Sequence, residues 1–578
     1  MMGKTTVRRT PLAGLMVLLL TGCGSMRLTP IPTAVPLVTA RPPIVHLPTA
    51  QVQVPTRTPT VNKAPSSPTP TPTALPPVLV AVEPGAPELL QTLLQGLVDA
   101  FPGEYNWTTA NSTDPAGTVV AGFNPDRPLG YWVYAAVAPF STLTDGVTLA
   151  ELMGASGPLA GRPFLVSSEV AAVLQAVWGA LPPGAQVTEE LTLIDDAWAL
   201  RPAFSIVPFE ALEPRWKALR VDGLSPLDRP LDLTTYPLAF AVGLRGPIDS
   251  VERIWSALEV LNTVVLPITN RDESRMTVVA MTGVTALTRA TAYQMEIQGL
   301  TYPGEEVAAV LQSADLAHIS NEVSFSANCP YPNPSRQESN LLFCSDDRYL
   351  ALLDYIGVDV VELTGNHVND WGTIPFSRTL GFYRERGWNT FGGGANALEA
   401  SLPFTVTHNG NRIGFVGCNP VGPQNAWATN DLPGAAYCTI ESLTEAVAAL
   451  AQQVDVVVVG LQYWEYYSYT ATPLQVRDFA KVADAGAHIV SGSQGHHAQG
   501  FAFPAGRFVH YGLGNLFFDQ MDQLGTRQTF VDRHVIYAGR HISTELWTGL
   551  MENYARPRLM DESERVDLLQ TVFSASGW

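Results

Sequence analysis

Positive charge is scarce in this 578-residue chain, with 34 Lys and Arg against 53 Asp and Glu, a formal net charge of −19. That balance argues against a nucleic-acid partner and suits a protein soluble at a surface. Charge of either sign is sparse, at 15% of residues against 46% hydrophobic, which fits large buried α/β cores rather than wholesale disorder. No Asp or Glu occurs before Glu83. No long apolar run occurs either: the stretch Pro11 to Leu20 has about ten such residues, where a bilayer span needs about twenty. Cysteine is rare, at five, and its spacing fits no zinc-ligand pattern. No repeat of solenoid type is present. The length favours two folded domains plus unstructured sequence.

The N-terminus is informative. Lys4, Arg8 and Arg9 precede the short apolar run, and Leu20-Thr21-Gly22-Cys23 resembles a lipobox. Residues 1–25 therefore read as a lipoprotein signal peptide, with Cys23 lipidated after cleavage and the chain anchored outside the cytoplasm. The alternative is an ordinary secretory signal with a chance cysteine. Residues 26–77 are Pro- and Thr-rich, as in Ser67-Pro68-Thr69-Pro70, and read as a disordered, extended stalk. In an oxidising compartment the remaining Cys329, Cys344, Cys418 and Cys438 make two disulfides. Pairing Cys329 with Cys344 and Cys418 with Cys438 closes the two shortest excursions; inert buried thiols are the alternative.

Residues 78–245 alternate short strands (78–82, 131–137, 236–244) with helices (88–101, 169–179), an α/β domain with a mainly parallel sheet. The segments 137–142 and 204–209 resemble the hinge and ligand-edge pieces of type II periplasmic solute-binding domains, as a true binding domain or as a structural module. Residues 246–275 hold one helix and a polar stretch and read as a linker. Residues 276–578 form the second region, in which Asn409-Gly410 between two apolar runs predicts a hairpin.

Five ordered segments of the second region carry a resemblance. They are Asn321-Glu322-Val323; Gly365-Asn366-His367-Val368-Asn369-Asp370-Trp371-Gly372; Gly392-Gly393-Gly394-Ala395-Asn396; Gly492-Ser493-Gln494-Gly495-His496 with Gln499; and Tyr511-Gly512-Leu513-Gly514-Asn515-Leu516-Phe517-Phe518-Asp519. In this order they resemble the CapA family of capsule and poly-γ-glutamate assembly proteins, related to calcineurin-like metallophosphoesterases. The resemblance implies a four-layer α/β/β/α domain after the solute-binding-like α/β domain. It also implies a site with Glu322, Asn366 and His496 as metal ligands and Asn366, His367, Asp370 and His496 as catalytic groups. Such chemistry needs oxygen and imidazole donors that hold a cation and polarise a bound water. His496 is favoured over its neighbour His497, and Asp370 has a rival role as a helix cap.

Three positions depart from the family pattern. Thr282-Gly283-Val284 stands where the family has Gly-Asp, Gln462 stands in place of a His, and Gln494 in place of another. The expectation is at most one weakly held divalent cation. The implied function is assembly or export of an extracellular polyanion, a capsular polysaccharide or poly-γ-glutamate, with phosphoesterase-type hydrolysis as its chemistry. The alternative is a non-catalytic binding lipoprotein with a degenerate site. The aromatic cluster Tyr463, Trp464, Tyr466, Tyr467 and Tyr469 reads as partly buried core or as a surface for stacking sugar rings. Gly392 to Gly394 read as a tight turn rather than a phosphate cradle.

Overall fold

One long strand, Arg127–Pro139, organises the first half of the protein. The computed structural model describes residues 75–110, 118–261, 267–334 and 341–578, so the signal segment, Cys23 and nearly all of the stalk lie outside the described residues. On one side of the long strand the sheet runs through Ala239–Arg245, Thr118–Phe123, Val78–Val82 and Tyr105–Trp107. On the other it runs through Phe204–Pro208, Phe164–Ser167 and Ala185–Thr188. The strands are apolar runs such as Val78-Leu79-Val80-Ala81-Val82, the pattern of strands covered on both faces. The sheet is mixed rather than mainly parallel, because Arg127–Pro139 and Ala239–Arg245 run antiparallel to each other and to their outer neighbours.

The stretch 246–275 is not a spacer, as a linker reading requires. Helix Ile248–Leu261 buries Val251, Ile254 and Leu258 in the first core, and Ile268–Thr269 pairs in parallel with the long strand. That pairing needs Gly130, since a Cβ there would lie 1.9 Å from the Ile268 carbonyl oxygen.

The carboxyl ends of Val78–Val82 and Thr118–Phe123 are covered from within. A Cβ on Gly85 would touch Val173 and Ala172 of helix Ser168–Trp178, and Asn124 Nδ2 donates to the Ala176 carbonyl at 2.9 Å. Glu83, just past the first strand, accepts from the Phe123 amide and pairs with Arg245 at 2.5 Å. Ligands of open α/β sheets sit in the crevice at those ends. Here the chain's own helix fills it, which favours the structural-module reading of residues 78–245.

The second region stacks two sheets. The first is ordered Asn389–Phe391, Val360–Glu362, Leu316–Asn321, Met276–Thr282, Gln528–Tyr537, Arg540–Glu552 and Arg556–Leu559. The second is ordered Phe404–His408, Asn411–Cys418, Val456–Leu461, Ile489–Gly492, Phe508–His510 and Phe501–Ala502. Val279, Met281, Leu316 and Val360 of one sheet meet Ile413, Phe415, Val456 and Val458 of the other in a shared core. Helices Leu350–Ile356 and Thr373–Arg386 cover the first sheet's outer face, and Ile440–Ala451 and Pro473–Asp484 the second's. The protein is thus mixed α/β, with the expected four-layer α/β/β/α order in this region.

Asn409 and Gly410, both at positive φ, close the hairpin between Phe404–His408 and Asn411–Cys418. The disulfides are Cys329–Cys344 and Cys418–Cys438. Gly393–Gly394 pairs with Gly434–Ala435, which makes the glycine run part of a short ladder.

The two halves share contacts rather than a flexible joint. Phe140, at the end of the long strand, sits among Phe501, Phe503, Phe508, Phe573 and Trp578, with ring centroids 5.3 to 6.2 Å away. Asp145 pairs with Lys217 at 2.6 Å and with Arg565 at 2.8 Å, and Arg229 pairs with Asp315 at 2.7 Å. The described residues from Leu75 onward belong to one compact unit. None of their helices is long and apolar enough to cross a membrane.

Candidate functional site

The site forms where several strands of the second region end. Glu322 follows strand Leu316–Asn321, the 365–372 turn follows Val360–Glu362, Gln462 follows Val456–Leu461, and Gln494 and His496 follow Ile489–Gly492. Parallel strands bring these ends together although the residues span 175 positions of sequence from Glu322 to His496 (496 − 322 + 1). Two motif glycines are required by close approach. A Cβ on Gly365 would lie 2.6 Å from Glu322 Cα, and one on Gly283 would lie 2.0 Å from the Gly514 carbonyl oxygen.

Glu322, Asn366, His367 and His496 are gathered in one place. Glu322 is buried, and its Oε2 has no hydrogen-bond partner among the described residues. Burial pushes its carboxyl above the ordinary range, against the opposing pull of His496 and His367. His367 Nδ1 lies 2.6 Å from Asp370 Oδ2. Burial works against the imidazolium there, but the Asp370 hydrogen bond and the charges of Glu322 and Asp370 outweigh it and hold His367 above its ordinary value. Asp370 also accepts from the Phe343 amide at 2.8 Å. It does not cap the following helix, whose N-cap is Gly372.

His496 and His497 have different surroundings. His496 Nδ1 meets Asn515 Oδ1 at 2.8 Å, and its Nε2 lies 4.0 Å from Glu465. His497 turns away, with Nδ1 on the Ala498 carbonyl and its ring against Tyr469. Asn515 also donates to the carbonyls of His496 and Thr526, so one buried amide sets both the ring and the backbone of His496.

Behind the two imidazoles lies a stack that the motifs did not announce. The His367 ring lies 4.4 Å from that of Phe343, and the His496 ring 5.2 Å from that of Phe518. Between the two phenyl rings sits the Arg289 guanidinium, 4.7 Å from each centroid. Arg289 is buried and paired with Asp519, whose other oxygen accepts from the Ala290 amide at 3.0 Å. Cation–π contact of a desolvated guanidinium fixes both rings, and through them both histidines. Asp519 lay in a recognised motif. Arg289 and Phe343 are a single arginine and a single phenylalanine with no pattern around them, so only the fold reveals them.

The donor set does not fit a dinuclear metal centre. Val284 presents only hydrocarbon at the position where the family has a carboxylate. Gln462 Nε2 donates to Gln494 Oε1, to Asn366 Oδ1 at 3.3 Å and to Glu322 Oε1 at 3.5 Å. Three oxygens that would serve a cation thus converge on an N–H donor, while Gln462 Oε1 is taken by Ser493 at 2.9 Å. Among the described residues no three His, Cys, Asp or Glu side chains are grouped to hold a metal ion. The arrangement instead offers an imidazole with a carboxylate partner facing a buried carboxyl with a vacant acceptor atom, the makings of general acid–base chemistry or of polar recognition.

Comparison with known proteins agrees with the motifs. Residues 278–520 match the family model described as bacterial capsule synthesis protein PGA_cap. The capsule biosynthesis protein CapA of Bacillus anthracis is 24% identical over 267 residues, 44% of this chain and 63% of that protein. The PGA biosynthesis protein CapA of Bacillus subtilis is 25% identical over 172 residues, 30% of this chain and 45% of that one. The chain therefore spans less than two thirds of either relative. A 5'-nucleotidase precursor from Thermus thermophilus aligns over 52% of this chain and 59% of its own, with 16% identity and a TM-score of 0.29. Over residues 278–520 this chain is therefore similar, at low identity, to CapA-type capsule and polyglutamate synthesis proteins.

Proposed function

We propose that this protein is a lipid-anchored, extracytoplasmic component in the assembly or export of an extracellular polymer, capsular polysaccharide or poly-γ-glutamate. The observation that carries this reading is the family match over residues 278–520, in a chain whose Glu322, His367 and His496 share one buried pocket. The lipobox-like Leu20 to Cys23 supports the anchor, and the pairing of all four later cysteines supports an oxidising compartment.

Within that role the pocket is suited to hydrolytic or transfer chemistry run by protons. His367, whose imidazolium form Asp370 favours, donates from its remaining ring nitrogen to a leaving oxygen or nitrogen. Glu322 accepts the proton of the attacking group at its vacant Oε2. Asn366 and Gln462 orient the reacting group. The second reading, a non-catalytic binding protein, is favoured by one observation: Val284, Gln462 and Gln494 stand where the family has ligand residues.

The test is genetic and chemical. A strain lacking the protein is complemented with wild type, with Glu322→Gln and with His367→Ala, and surface polymer is quantified. The expected result is restoration by wild type and a loss of more than about tenfold with either variant at normal protein level. Full polymer in the strain lacking the protein would overturn the assembly role. Full restoration by both variants would leave the binding reading in place of the catalytic one.

A further inference from the structure

Four large aromatic side chains on the segments around the pocket are exposed, as Trp107, Tyr355, Tyr437 and Tyr554 are elsewhere. At the His496 end, Trp464 is 49% and Tyr467 44% exposed. The Tyr467 ring lies nearly parallel to His496, 6.3 Å away at 18°, and its hydroxyl accepts from Gln520 Nε2 at 3.0 Å. At the His367 end, Trp371 directly follows Asp370 and is 37% exposed. Trp371 lines a small cavity of about 80 Å³ with Arg289 and Tyr331, and Tyr331 is 67% exposed. Tyr463 and Tyr469 of the same aromatic cluster point inward, onto Phe479 and His497. The cluster is therefore divided between a core half and a surface half.

The charges around these rings do not suit a polyanion. Beyond Lys63 the sequence has only two lysines, Lys217 and Lys481, paired with Asp145 and Glu441. Arg289, Arg348, Arg378 and Arg477, on elements bordering the pocket, are each paired with a carboxylate. At the rim itself stands Glu465, nearly half exposed. A polycarboxylate brought to this rim meets a carboxylate within a protein of net charge −19, and no unpaired cation among those named.

We propose that the pocket takes a segment of an uncharged, hydroxyl-rich sugar chain rather than a polycarboxylate, with Trp464 and Tyr467 on one side and Trp371 and Tyr331 on the other as its stacking surfaces. The proposal rests on the polymer-assembly reading above and narrows it. A pyranose ring has an apolar C–H face that packs on an aromatic ring and a hydroxyl edge that hydrogen-bonds. The pocket offers both partners: exposed ring faces outside, and inside the Glu322 acceptor with the amide nitrogens of Asn366 and Gln494. The neutral sugar loses nothing to the surrounding negative charge.

The experiment uses the purified full-length chain and follows tryptophan fluorescence and affinity electrophoresis. The probes are neutral hexaoses of glucose, of galactose and of N-acetylglucosamine, with poly-γ-glutamate alongside. At least one hexaose is expected to bind with an affinity unchanged between low and high salt. Trp464→Ala and Tyr467→Ala, both at exposed positions, are expected to weaken it roughly tenfold without lowering Tm. Binding of poly-γ-glutamate and of no hexaose would overturn the sugar proposal and leave the polymer reading standing. Binding of no probe would count against both. Hexaose binding indifferent to both variants would overturn the stacking surfaces.

Discussion

His367 Nδ1 lies 2.6 Å from Asp370 Oδ2, three residues further along the same turn. The short spacing makes this pair local, yet its consequence depends on Glu322 across the pocket, whose charge adds to that of Asp370 on the imidazole. His367 is expected to titrate above its ordinary value in the folded protein, and Asp370→Asn to lower it. The sign for stability follows. With its folded value raised, His367 adds stability that is fully present below its unfolded value and is lost as pH rises through the folded one. Histidine NMR titration of the two proteins checks this, and an unchanged value in Asp370→Asn would refute the dyad.

Metal binding is expected to be slight. Equilibrium dialysis against Mn²⁺ or Zn²⁺ should give at most one weakly held equivalent per chain, because Gln462 Nε2 points at the oxygens of Glu322, Asn366 and Gln494. Gln462→His removes that N–H cluster and supplies a nitrogen ligand, so it is expected to tighten binding by about tenfold or more. Two stoichiometric metals in the wild type would show that the amide is no obstacle.

Acid should destabilise the fold through buried histidines that are not part of the pocket. His534 and His541 are buried, with ring centroids 5.2 Å apart, and share Thr544 Oγ1 as a hydrogen-bond partner. Burial depresses both, His541 to about 3 and His534 well below its ordinary value, with each also lowered by neighbouring histidines. A depressed histidine binds its proton in the unfolded chain first, so stability is lost as pH falls below about 6.5. The slope is roughly 1.4 kcal/mol per pH unit for each group. Urea unfolding at pH 7 and pH 5 measures it, and equal midpoints would contradict the burial.

Phe140→Ala should cost about 3–5 kcal/mol. The side chain is 2% exposed and lies among five aromatic rings of the second region. Because it joins the two halves, the variant should unfold in two transitions where the wild type shows one. Calorimetry distinguishes these outcomes.

Cys23→Ser should release the protein from membranes with its folded part unchanged. The basis is the tetrapeptide ending at Cys23, after an apolar run too short to span a bilayer. Fractionation after a high-salt wash tests it, and retention of the variant in the membrane fraction would argue for another mode of attachment.

Local patterns in the chain were enough for several features. The apolar runs marked strands, Asn409-Gly410 marked its hairpin, and the even set of cysteines with short separations marked both disulfides, because each depends on neighbours in sequence. The ordered motifs pointed to Glu322, Asn366, His367 and His496 for a related reason: each follows a strand, and parallel strands deliver their carboxyl ends to one edge. Other features depended on contacts between distant segments. Residues 246–275 looked like a linker because the partner of Ile268 is a strand some 140 residues earlier, Gly130 and Tyr131. The covered crevice of the first region was invisible because helix Ser168–Trp178 fills it with ordinary side chains.

The sequence by itself determined the net negative charge, the α/β class and the residue types of the pocket, since these are properties of composition and of short-range order. Only the tertiary structure decided how those residues act. It placed a Gln462 N–H among the oxygens of Glu322, Asn366 and Gln494, set Arg289 between Phe343 and Phe518, and left Trp464 and Tyr467 exposed while burying Tyr463. The physical reason is that burial and hydrogen-bond polarity belong to surroundings assembled from segments far apart in the chain, and a residue's type does not specify which neighbours the fold will bring to it.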